Sequence, residues 1–87
     1  MIHEFTIGGK RVSGFVKWKS HNNRPWFIVD FGQNASSSIM TEFAKLVSDA
    51  CGYVFIARIN KHMPSSTAGT FWARKKTTID HMEESIV

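Results

Sequence analysis

Phe15, Lys17 and Lys19 stand at every second position of one stretch, and Trp72, Arg74 and Lys76 do the same in another. Ammonium and guanidinium groups bind phosphate oxygens, and flat rings stack on unpaired bases. Rings interleaved with cations are therefore the side-chain content of a surface for single-stranded nucleic acid. Lys10 and Arg11 lie just upstream of the first set. Arg58, Lys61 and His62 precede the second, and the hydroxyls of Ser65, Ser66 and Thr67 add donors for phosphate oxygens. The candidate binding set is thus Lys10, Arg11, Phe15, Lys17, Lys19, Arg58, Lys61, His62, Trp72, Arg74 and Lys76. Trp26 alternates onto a comparable side of its own stretch but is expected to be buried, as Trp is on average. The plainer reading of the same residues is a solvated basic face with rings that only pack.

The bulk charge points the same way. The chain carries 11 Lys and Arg against 7 Asp and Glu, a net charge of +4. Residues 1–79 hold all 11 bases against Glu4, Asp30, Glu42 and Asp49, or +7, whereas residues 80–87 hold Asp80, Glu83 and Glu84 and no base, or −3. A concentrated basic field attracts polyanions, and a short acidic tail either folds back on it or is solvated.

Catalytic chemistry finds less support. His3, His21, His62 and His81 are scattered without the short spacings of a zinc site, and Cys51 is the single Cys. Asp80 and His81 with Glu83 and Glu84 sit in a short acidic terminus that is expected to be solvated. Asp30, Glu42 and Lys45 match the acid, acid, lysine content of metal-dependent nucleases, but Glu42 and Lys45 have the i, i+3 spacing of a helix surface pair. A metal-independent ribonuclease using His62 with Lys61 or Arg58 is the most concrete enzyme to consider. No nucleophile–base pair supports it, so neither an enzyme, a metal nor a cofactor is expected. Gly8 and Gly9 lack the following helix of a phosphate loop.

A spacing of two brings side chains to one face only on an extended chain, so strands must position the set. Residues 3–7 alternate, Gly8 and Gly9 supply a primed turn, and residues 10–19 continue as a second strand. There Val12, Gly14, Val16 and Trp18 point one way and Arg11, Ser13, Phe15, Lys17 and Lys19 the other. Residues 20–25 form a turn cluster, and residues 26–31 a third strand with Phe27, Val29 and Phe31 as its core row. Residues 36–51 carry the one strong helical period, with Ile39, Phe43, Leu46, Val47 and Ala50 on the apolar face. Ser36 to Ser38 provide caps at its start and Gly52 a left-handed stop. Residues 53–60, apolar at nearly every position, read as a central strand. Residues 60–69 form a long loop, residues 70–79 a last strand, and residues 80–85 a final half-turn of helix.

The fold expected is α+β: a five-stranded antiparallel sheet in the order β-β-β-α-β-β with one helix on one face. A small OB-like barrel accepts the same element order. Residues 1–79 make one domain, of a size that buries roughly 60 to 65% of its unfolded surface, and residues 80–87 a short acidic tail. A single Cys excludes an internal disulfide, no apolar run reaches the length of a membrane span, and no signal-peptide core opens the chain, so a cytoplasmic protein is expected. The sequon Asn34-Ala35-Ser36 is then a chance match. The function expected is that of a small basic protein holding single-stranded RNA or DNA, RNA favoured, with little sequence preference. The alternative is a small inhibitor or accessory protein, of the viral or mobile-element kind, that acts on a nucleic-acid-processing enzyme with Trp72 and Phe15 as anchors. Either a monomer or a homodimer fits, because an open sheet has edges that can pair.

Overall fold

The computed structural model describes residues 1–59 and 66–80. The expectations placed on Lys61, His62, Ser65 and residues 81–85 lie outside the described residues. The elements are β1 (Ile2–Ile7), β2 (Lys10–His21), β3 (Arg24–Asp30), α1 (Ser37–Ala50), β4 (Tyr53–Arg58) and β5 (Ala68–Lys75). All pairings are antiparallel, and the strands lie in the order β1-β2-β3-β5-β4 with α1 against one face of the curled sheet. The helix carries the chain from β3 to the far edge, and β5 returns into the gap between β3 and β4. Among the described residues β1 and β4 remain edges, so the sheet is open and not a closed barrel.

Two primed turns shape the first three strands. Gly8 and Gly9 take φ of 58° and 78°, and Asn22 and Asn23 take 51° and 63°, the left-handed pair that a two-residue hairpin demands. The second turn is therefore tighter than the six-residue cluster read from the sequence, and both neighbouring strands grow into it. Pro25 falls within β3, opposite Ser20. Beside a two-residue turn the closing pair, His21 and Arg24, exchanges the ladder bonds, so the next residue has its nitrogen turned away from β2. Pairing of β3 with β5 begins only at Trp26, so the missing N–H of Pro25 removes no ladder bond there.

The helix begins where the Ser36 hydroxyl accepts from the Ile39 N–H at 3.2 Å, and stops before Gly52 at a φ of 79°. Its buried residues are Met40, Phe43, Ala44, Val47 and Ser48. The face is turned by about one residue from the expected one, leaving Ile39 and Leu46 half-buried and Ala50 exposed. Ala44 and Ser48 are small, so they add little to an apolar count but let the helix approach the sheet closely. Gly14 on β2 serves the same contact from the other side. A Cβ there would lie 2.7 Å from Val29 Cγ1 and 3.3 Å from the Phe43 ring. In the space so left, Phe43 meets Phe5 and Phe31 edge-on at centroid distances of 5.2 and 5.0 Å.

Two strand expectations are corrected. The strand at residues 53–60 is an edge strand and not a central one. A bulge between Phe55 and Ala57 breaks its alternation, which is why apolar residues occur on both sides and Ile56 is exposed. The last strand ends at Lys75 and not at 79, because Thr77 and Asp80 bond to each other and turn the chain.

Candidate nucleic-acid interface

The face of the sheet away from α1 is built from three strand registers. Lys19, Trp26, Trp72 and Ala57 lie side by side across β2, β3, β5 and β4. One step along, Lys17, Ile28 and Thr70 form a second row, and Phe15, Asp30 and Ala68 a third. Rows on one face are about 7 Å apart. On the other side of the Trp row, Arg24 and Arg74 continue the same alternation, and both are exposed.

The centre of this face is the directly opposed pair Trp26 and Trp72, with ring centroids 6.4 Å apart at 56°. The Lys19 ammonium lies 5.3 Å from the Trp26 ring centroid, a cation–π distance that holds the charge beside the ring. Both indoles are half-buried, so Trp26 contributes to the surface and does not enter the core. The average burial of Trp argues for the core and against this outward position. Its alternation with Phe27, a core residue, was the signal that placed it outward. Arg24 was missed because residues 20–25 read as a turn and not as strand.

The structure brings Lys17, Lys19, Trp72 and Arg74 together around that pair. Phe15 shares the face, but it lies opposite Asp30 on one side and Ile2 on the other, away from the cations. Arg11 is ion-paired with Glu4 across β1. Lys10 opens β2 beside the Gly turn, opposite Ile7, on the alternation of the core row. Three expected contributors therefore stand apart from the centre, and two more lie on the helix side. The guanidinium of Arg58 donates to Ser37 Oγ at 2.9 Å, at the start of α1. With β5 ended, Lys76 turns toward α1, where its ammonium is 3.8 Å from Asp49 and its side chain is only 14% exposed.

Arg74 is the most constrained cation. Its Nη1 and Nη2 donate to the two oxygens of Asp80 at 2.7 and 3.2 Å. Asp80 also accepts from the Thr77 N–H at 2.8 Å and the Thr77 hydroxyl at 2.9 Å. The Arg74 hydrogen bonds first, then those of Thr77, hold the Asp80 carboxyl well below the usual carboxylate range, and the guanidinium is correspondingly raised. The first residue of the acidic tail thus already occupies a cation of the face.

Among the described residues no group of three His, Cys, Asp or Glu could hold a metal ion, and no helix is long and apolar enough to cross a membrane. No protein-family model, curated protein or solved structure matches the chain.

Proposed function

We propose that the open face of the sheet binds single-stranded nucleic acid, RNA in preference to DNA, with little sequence preference and without catalysis. The observation that carries this reading is the cross-strand Trp26–Trp72 pair on the face left free by α1, with Lys19 held against it and Lys17 in the next row. Every base has a π-face, so two indoles on a sheet accept any sequence, while the neighbouring ammonium groups meet the phosphates. The net charge of +7 before the acidic tail adds long-range attraction. The single Cys suits a reducing compartment, so we place this activity in the cytoplasm.

The test is a tryptophan-fluorescence titration with single-stranded RNA and DNA at two salt concentrations. Trp72→Ala is expected to weaken binding by about 1 to 3 kcal/mol while leaving the salt slope intact, since stacking releases no counterions. Lys17→Ala or Lys19→Ala is expected to weaken binding for every sequence and to lower the salt slope by about 0.7 per lost phosphate contact. Absence of salt-dependent affinity for any single strand at low ionic strength would overturn the reading. A protein partner then becomes the better account, favoured by the opposed and exposed Ile2 (72%) and Phe15 (54%) at the other end of the face. In that case substitutions at Trp72 and Phe15 should abolish binding to a nucleic-acid-processing enzyme.

A further inference from the structure

A concave feature lies on the opposite side of the sheet, where β2 and β3 run past the end of α1. The helix stops at Ala50, so among the described residues α1 does not extend over the inward residues of the overhanging hairpin. They border a groove of about 720 Å³, walled by Trp18, Pro25 and Tyr53 and rimmed by Ser20, Asn23 and Lys75. Trp18 stacks on Tyr53 at 4.7 Å and 30°, and packs against Phe27 at 4.6 Å, so the wall is a fixed aromatic surface. The Lys75 ammonium makes no ion pair among the described residues, and Asp49 at the end of α1 is engaged by Lys76.

We propose that this groove binds a small planar ring compound bearing a carboxylate or a phosphate. The volume lies within the range of small-molecule sites, which are mostly apolar with a few convergent polar groups. The rigid Trp18–Tyr53 wall takes the ring, and Lys75, which makes no ion pair among the described residues, takes the anion through a charge-assisted hydrogen bond. Ser20 and Asn23 supply hydrogen bonds to ring substituents. Lys19 also lines the groove, but its ammonium lies over Trp26 on the outer face; the residues assigned to the ring and the anion are not part of that face's Trp row, so the site stands whether or not that face binds nucleic acid.

Cys51 lines the groove and is the single Cys of the chain, which makes its alkylation by iodoacetamide a local readout. Adenosine 5′-monophosphate and 1-naphthoate are each added at ~10 mM, enough to fill a site of ~1 mM Kd. Protection of Cys51 of about tenfold by either probe is expected, and which probe protects tells a nucleotide from an aromatic carboxylate. Lys75→Gln, at an exposed position, should weaken binding about tenfold and so lower that protection to about twofold. Trp72→Ala, on the other face, should leave it unchanged. Unaltered alkylation with both probes overturns the proposal, as does protection that survives Lys75→Gln undiminished or disappears with Trp72→Ala.

Discussion

Arg74 sits where a phosphate clamp is wanted, yet its guanidinium is already held by both oxygens of Asp80. Any phosphate at this corner competes with a carboxylate. Asp80→Asn keeps the hydrogen-bonding shape but removes the charge. It is expected to tighten single-strand binding about threefold to tenfold and to steepen the salt slope by about 0.7, both read from titrations at two ionic strengths. The pH dependence follows from the direction of the shift. A lowered acid contributes stability above its ordinary value of 3.8, and loses it only as pH falls through the lower folded value. The Arg74–Asp80 pair therefore persists through the mildly acid range. The affinity ratio of Asp80→Asn to wild type should stay constant from about pH 7 down to about pH 3, and a ratio that closes as pH falls through 3.8 would show that the carboxyl is not held down.

At the level of elements, the contact of α1 with the sheet decides stability. Phe43→Ala removes a ring packed by Phe5, Phe31 and the space over Gly14, and should cost about 3 to 5 kcal/mol, enough to unfold or nearly unfold so small a domain. Gly14→Ala puts a methyl group where Val29 and the Phe43 ring already stand, and should cost about 1 to 3 kcal/mol by overpacking. Ser48→Ala should do the opposite. The Ser48 hydroxyl is buried and has no hydrogen-bond partner among the described residues. Removing it relieves the desolvation of an unpaired polar group and improves helix propensity, for a gain of about 1 kcal/mol. Urea denaturation of the three variants orders them on one scale, and a Ser48→Ala protein less stable than wild type would contradict the geometry at that contact.

Across the whole molecule the outer face is electrically lopsided. Lys17, Lys19, Arg24 and Arg74 surround the Trp pair, whereas Phe15 lies beside Asp30, and Arg11 is spent on Glu4. A polyanion is therefore expected to lie over the Trp row and not over the full face. Phe15→Ala should change single-strand affinity by less than about 0.5 kcal/mol, well under the loss from Trp72→Ala. Equal losses at the two positions would mean that the strand runs the length of β2. The edges β1 and β4 leave self-pairing open to measurement, but with one Cys no internal disulfide forms. Reducing agent should leave the melting temperature of the monomer unchanged.

Much of this architecture follows from local chemistry. The glycine turn, the Ser36 cap, the stop at Gly52, the alternation of β2 and β3 and the helical period each depend on φ, ψ and side chains within a few residues, so they were legible without the fold. The outward parity of Lys17, Lys19, Trp72 and Arg74 came from the same alternation. Where β5 lies, why β4 is an edge, and which residues stand opposite Trp26 depend on pairings between distant segments that leave no periodic trace. Lys76 and Arg58 lie on the helix side for that reason. One follows the end of a strand and is drawn to Asp49, and the other lies beyond a bulge and reaches Ser37. The chain alone determined strands that carry rings and cations on one side. Only the tertiary structure decided that two of those rings face each other, because a cross-strand neighbour is set by register and not by sequence distance.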